Sequence, residues 1–146
     1  MDAWRTVVCG IDFTPASEAA ALRAGWLARS FGGELHLAHV AYPEEHAGRD
    51  IAPGKIFPGE LEFLRARLDQ ARERVQAATG AQARVHLLHG SAPSSLVALA
   101  REVRCDLLVL GAHAHGRVGQ ALGSAAGALT REAPCAILLV KTGPSS

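Results

Sequence analysis

Five short apolar runs recur along the chain, each separated from the next by helix-forming residues or by glycine and proline. They are Thr6–Ile11, Glu34–Ala41, Ala83–Leu88, Asp106–Leu110 and Ala136–Val140. The first, fourth and fifth are nearly continuous in apolar character rather than alternating. A strand of that kind must bury both faces, and a parallel sheet covered by helices on each side does so. Helical stretches fit between them at Ala16–Phe31, Glu60–Thr79, Pro93–Val103 and Ser124–Glu132. The order is strand, helix, strand throughout, which predicts an α/β fold with helices on both faces of a parallel sheet. The chain has 146 residues, which suits one domain spanning 1–146.

Local chemistry supports the helix limits. Thr14 or Ser17 can cap the first helix, Pro15 suits its first turn, and Gly32-Gly33 ends it. Its apolar side is expected to hold Ala20, Leu22, Trp26, Leu27 and Phe31, with Glu18, Arg23 and Arg29 toward water. The second helix places Leu61, Leu64, Leu68, Ala71 and Val75 on one face, and the third turns Leu96, Val97 and Ala100 inward. His36 and His39 fall on opposite faces of their strand. Between Tyr42 and Gly59 six glycines and prolines predict a long loop.

Charge narrows the partners. Lys and Arg number 15 against 14 Asp and Glu, a formal net charge of +1. Nucleic acid and anionic membranes demand a basic surface, so neither is an expected partner. No signal-peptide pattern opens the chain, and no run approaches the ~20 apolar residues of a membrane span. A cytoplasmic protein is expected. Cys9, Cys105 and Cys135 form no C-x-x-C pair and are too scattered for a disulfide framework; they read as buried small hydrophobes.

In open sheets of this type, ligands bind beyond the carboxyl ends of the strands. The loop after the fourth strand, Gly111–Ser124, holds Gly111, Gly116, Gly119 and Gly123 and leads into a helix. Such a loop can turn several N–H groups inward, and the helix start adds a positive dipole end, so a phosphate cradle is one reading. A loop whose glycines serve only tight turns is the other. His113 and Arg117 are candidates to face a phosphate, or solvated loop residues. Gly111-x4-Gly116 lacks the Lys and Ser/Thr of a Walker loop, and no G-x-G-x-x-G occurs. Asp12, at the end of the first strand, can accept from a ribose hydroxyl or base amine, or serve as a turn residue. The His113/His115 and His86/His89 pairs lack a suitably placed thiol, and no metal site is expected.

These segments together resemble the universal stress protein family over nearly the whole chain. The resemblance rests on Val7-Val8-Cys9-Gly10-Ile11-Asp12 with Ser17, on ELHLAHV, and on Gly90-Ser91-Ala92-Pro93. It continues through Asp106–Gly111 with Gly123-Ser124, and Ala133–Val140. It implies a three-layer sandwich with a five-stranded parallel sheet of order 3-2-1-4-5, and a homodimer paired through the Ala136–Val140 edge strand. Some members bind ATP through Gly-x2-Gly-x9-Gly-Ser/Thr after the fourth strand; others lack the motif. By that resemblance Asp12 meets the ribose or adenine, Val40 and Ala41 contact adenine through backbone, and Gly111, Gly123, Ser124 and Ala125 hold ribose and phosphates. Here Ala114 stands at the second glycine, and eight residues instead of nine separate it from Gly123; Gly116 and Gly119 are placed to compensate.

The expected function is therefore binding of ATP or a related adenine nucleotide, with Mg²⁺ on the phosphates, as a regulatory ligand in stress response. The alternative is a dimeric scaffold of the same fold that binds no nucleotide. An adenylyl-transferring enzyme would carry an HxGH or SGGxDS-type loop, and a phosphoacceptor domain would cluster acidic residues at its strand ends. The chain has neither, and no nucleophile–base pair is legible. Slow ATP hydrolysis is the most catalysis expected.

Overall fold

The computed structural model describes residues 4–41, 59–113 and 127–142. Eight elements run β1 (Thr6–Gly10), α1 (Pro15–Phe31), β2 (Glu34–Ala41), α2 (Glu60–Thr79), β3 (Ala83–His89), α3 (Ala92–Glu102), β4 (Leu107–His113) and β5 (Ala136–Thr142). Residues 127–132, before β5, are also helical and are called α4. The strands form one parallel sheet of order β3-β2-β1-β4-β5. That is the expected order.

Continuous apolar strands produce two cores. Val7, Cys9, Leu35, Leu37, Leu107 and Val109 point to one face, where α1 and α2 cover them. Val8, Ala38, Val40, Leu108 and Leu110 point to the other, against α3 and Leu129 of α4. Asp106 ties the start of the sheet together. Its carboxylate accepts from the N–H groups of Arg5 and Thr6 at 3.0 and 2.9 Å, and its own N–H donates to the Thr6 carbonyl.

The expected apolar side of α1 needs correction. Leu22, Trp26 and Phe31 are exposed, at 39%, 53% and 42%. The buried face is Ala16, Ser17, Ala20, Ala21, Ala24, Gly25 and Ala28. α1 packs on the sheet and on α2 at once, so this face must be thin. A Cβ at Gly25 would lie 2.7 Å from both Thr79 Oγ1 and Val75 Cγ1 of α2. Side-chain size, not hydrophobicity, selected the inward face. Phe31 is partly sheltered by Trp4, which meets its ring edge-on with centroids 5.9 Å apart.

Thr14 caps α1, its hydroxyl accepting from the Ser17 N–H at 3.2 Å, and Gly32 ends the helix with φ +67°. The two later strands are longer than expected. β4 continues through Gly111, Ala112 and His113, paired with Val140, Lys141 and Thr142 of β5. The first residues assigned to the glycine-rich loop are therefore strand. Pairing with β5 supplies their backbone partners, which periodicity alone does not signal.

Candidate functional site

β1 is shorter than both neighbours. Its ladder to β2 ends at Gly10↔Ala38, and its ladder to β4 ends at Cys9↔Val109. β2 runs on to Ala41 beside β3, and β4 runs on to His113 beside β5. α1, which follows β1, and α4, which follows β4, pack on opposite faces of the sheet, so the sheet has its switch point there. The gap beyond β1 is the crevice where ligands settle in folds of this kind.

Asp12 stands at that gap and is exposed. Its N–H donates to Ser17 Oγ at 3.2 Å. Its Oδ1 accepts from the N–H and hydroxyl of Thr14. The turn role is therefore real, and it uses one carboxylate oxygen. Among the described residues Oδ2 has no partner, so the same side chain keeps an acceptor for a ligand hydroxyl or amine.

Val40 and Ala41 form the wall opposite. Both are buried, at 8% and 2%. The Ala38 carbonyl accepts from Ile11 N–H at 2.7 Å, on the β1 side of β2. Backbone groups alternate along a strand, so those of Val40 face the same side, where β1 has turned away. Those of Ala41 face β3. Val40 is thus the residue whose N–H and C=O reach the crevice.

Gly111 lies on the β4 flank, buried beneath the first turn of α1. A Cβ there would fall 2.5 Å from the Ala16 carbonyl carbon and oxygen and 2.6 Å from Ser17 N. Glycine lets the helix start approach the strand this closely. The first turn of α1 is itself a poor phosphate site: Pro15 has no N–H, the Ser17 N–H is taken by Thr14, and the Asp12 carboxylate is adjacent. His113 ends β4 as backbone. Gly116, Gly123, Ser124 and Ala125, with Ala114 and Arg117, lie outside the described residues, as does 42–58.

One cluster at the crevice was not legible in the sequence. Phe13 adopts φ +64°, uncommon for a bulky residue. Its ring lies 4.5 Å from the His39 ring, and the Arg67 guanidinium of α2 sits 4.2 Å above it. His39 Nδ1–H donates to the Ile11 carbonyl at 2.6 Å. Arg67 reads in sequence as one of many charges on a solvated helix face, and only the packing of α2 against α1 and over β2 and β3 brings it here.

His86 and His89 do not converge, because they point to opposite faces of β3. His86 instead meets His36, Nε2 to Nδ1 at 2.8 Å, and His36 Nε2 meets Glu34 Oε2 at 3.1 Å. With both rings neutral, His86 donates to His36 and His36 donates to Glu34. Among the described residues no three His, Cys, Asp or Glu side chains form a metal-holding group. Burial, then the charge of His36, holds the His86 imidazole below its ordinary range; Glu102 opposes this and Arg84 adds to it. The unfolded chain therefore takes up this proton at higher pH than the folded one. The His86 contribution to stability is complete above pH of about 6.5 and is lost as pH falls toward the lowered folded value. Urea midpoints of the native chain are expected to drop over that window more than those of His86→Gln. Parallel curves for the two would contradict this assignment.

No helix among the described residues is long and apolar enough to cross a membrane. The sequence matches the model of the universal stress protein family over residues 3–141. It is 29% identical to universal stress protein A homolog 1 of Coxiella burnetii, covering 94% of this chain and 96% of that protein. It is 28% identical to a universal stress protein of Thermus aquaticus, the one in the QAH/OAS sulfhydrylase 3′ region, over 94% and 99% of the two chains. A universal stress protein whose crystal structure was solved in complex with cAMP superposes with a TM-score of 0.72 at 28% identity. That match covers 97% of this chain and 99% of the other. Strand order, superposition and end-to-end similarity agree: the chain belongs to the universal stress protein family.

Proposed function

We propose that the chain binds an adenine nucleotide at the crevice beyond β1, with ATP and its Mg²⁺ as the ligand, and serves as a nucleotide-responsive protein of the stress response. The observation that carries this reading is the pairing of an open Asp12 Oδ2 with the outward-facing backbone of Val40 across the gap. A carboxylate suits a ribose diol, and a strand-edge N–H and C=O suit the donor–acceptor edge of adenine. The cAMP complex of the 28%-identical relative supports an adenine nucleotide as the ligand class. The phosphates fall to Gly116, Gly123, Ser124 and Ala125 and to the start of α4, since the first turn of α1 is unsuited to them.

Thermal melting tests the reading. Ligand at 100 times its Kd adds about 2.7 kcal/mol of stability. A rise in Tm with millimolar ATP and Mg²⁺ is expected, and AMP and cAMP run in parallel rank the nucleotides. Asp12→Ala is expected to keep the fold and lose most of the rise. No shift with any adenine nucleotide would leave the non-nucleotide scaffold as the better reading.

β5 is an edge strand with Leu139 43% exposed. Its outer backbone edge fits pairing with a second copy through Ala136–Val140, which would cover it. Sedimentation equilibrium is expected to give twice the 15.3 kDa chain mass. A monomer at high concentration would remove this interface.

A further inference from the structure

Cys105 and Cys135 are separated by 30 positions, yet their sulfurs lie 3.7 Å apart. The topology causes this. Cys105 ends the turn that leads from α3 toward β4, and Cys135 ends the turn from α4 into β5. β4 and β5 are parallel neighbours with Leu107 opposite Ala136, so the two turns meet at the same end of the sheet. Cys105 is buried in the core beneath β4, its thiol donating to the Leu107 carbonyl at 3.0 Å. Cys135 is half-buried and packs on the same core. A disulfide needs an S–S separation of about 2.05 Å, so closure asks for roughly 1.7 Å of movement between two turns already held side by side.

We propose that Cys105 and Cys135 are a modification site, closing to a reversible disulfide with hydrogen peroxide as oxidant. The Cys135 thiolate, the more accessible of the two, attacks one peroxide oxygen. The O–O bond breaks, the other oxygen leaves as water after taking a proton, and Cys135 becomes a sulfenic acid. Cys105 sulfur then attacks Cys135 sulfur. The S–O bond breaks, a second water leaves with the Cys105 proton, and the S–S bond forms. Peroxide gains the two electrons that the two thiols lose.

Burial pushes the Cys105 thiol up to about 12, and burial also raises Cys135. Thiolate is therefore scarce at neutral pH, and closure is slow there and faster in alkali. The closed loop contains all of β4, the glycine-rich stretch that follows and α4, and the bond ties the start of β4 to the start of β5.

The test uses the full chain, treated with hydrogen peroxide at neutral and alkaline pH, alkylated under denaturing non-reducing conditions, and mapped by peptide mass. The expected product is a Cys105–Cys135 linked peptide that forms faster in alkali, disappears on dithiothreitol treatment, and is absent from Cys135→Ser. Cys9, fully buried, stays alkylatable and unlinked. Recovery of Cys105 and Cys135 both alkylated after prolonged alkaline oxidation would overturn the proposal. So would over-oxidised Cys135 beside a free Cys105. The map of the native chain decides this whether or not a variant folds.

Discussion

Replacing Gly111 with alanine is expected to lower stability by about 3 kcal/mol, toward the upper end of overpacking costs. The added Cβ would sit 2.5 Å from the backbone carbon and oxygen of Ala16 and 2.6 Å from Ser17 N. No side-chain rotation relieves a clash with backbone, so β4 or the start of α1 must move. The same turn of α1 supplies Thr14 and Ser17, which hold Asp12 through three hydrogen bonds. If the proposed nucleotide site is right, nucleotide affinity falls together with stability. Urea unfolding checks the first part: the midpoint should drop with the slope unchanged. A wild-type midpoint would mean that α1 does not approach β4 this closely.

Leu37→Ala is expected to cost about 3–4 kcal/mol. Leu37 is fully buried in the core under α1 and α2, opposite Cys9 on one side and Val85 on the other. Strands on both flanks hold its backbone, so the cavity cannot collapse easily. A fall in Tm of roughly 10 °C is the corresponding thermal readout. Leu22→Ala makes the internal comparison. The same residue type sits 39% exposed on α1, and its loss should change stability by no more than about 0.5 kcal/mol. Equal costs at the two positions would refute the assignment of the inward face of α1.

The legible and illegible parts of this chain divide along physical lines. β2 and α2 begin and end where their sequence pattern predicts, because Gly32-Gly33 and Gly80 stop the helices and the apolar runs are bounded by breakers. α1 reads correctly as a helix and only in part as to its face: Ala20 is buried and Leu27 packs on the core, but Leu22, Trp26 and Phe31 are exposed. Its hydrophobicity is strongest at Leu22, Trp26 and Phe31, whereas the buried face holds small residues and the contact with α2 at Gly25 leaves no room for a Cβ. Asp12 is identified by position at a strand end. That one of its oxygens serves the turn and the other is left without a partner among the described residues depends on where Thr14 and Ser17 fold back.

Residue order alone was enough for the α/β class, since buried parallel strands and breaker-bounded helices are local patterns of polarity. It was also enough to put a candidate acceptor at the end of β1. Tertiary structure decided what depends on distance between remote segments. Arg67 stacks on Phe13, Gly111 lies beneath Ala16, His86 meets His36, and Cys105 touches Cys135. Periodicity encodes which way a side chain points, but not what stands there to meet it; that partner is chosen by the packing of elements far apart in the chain.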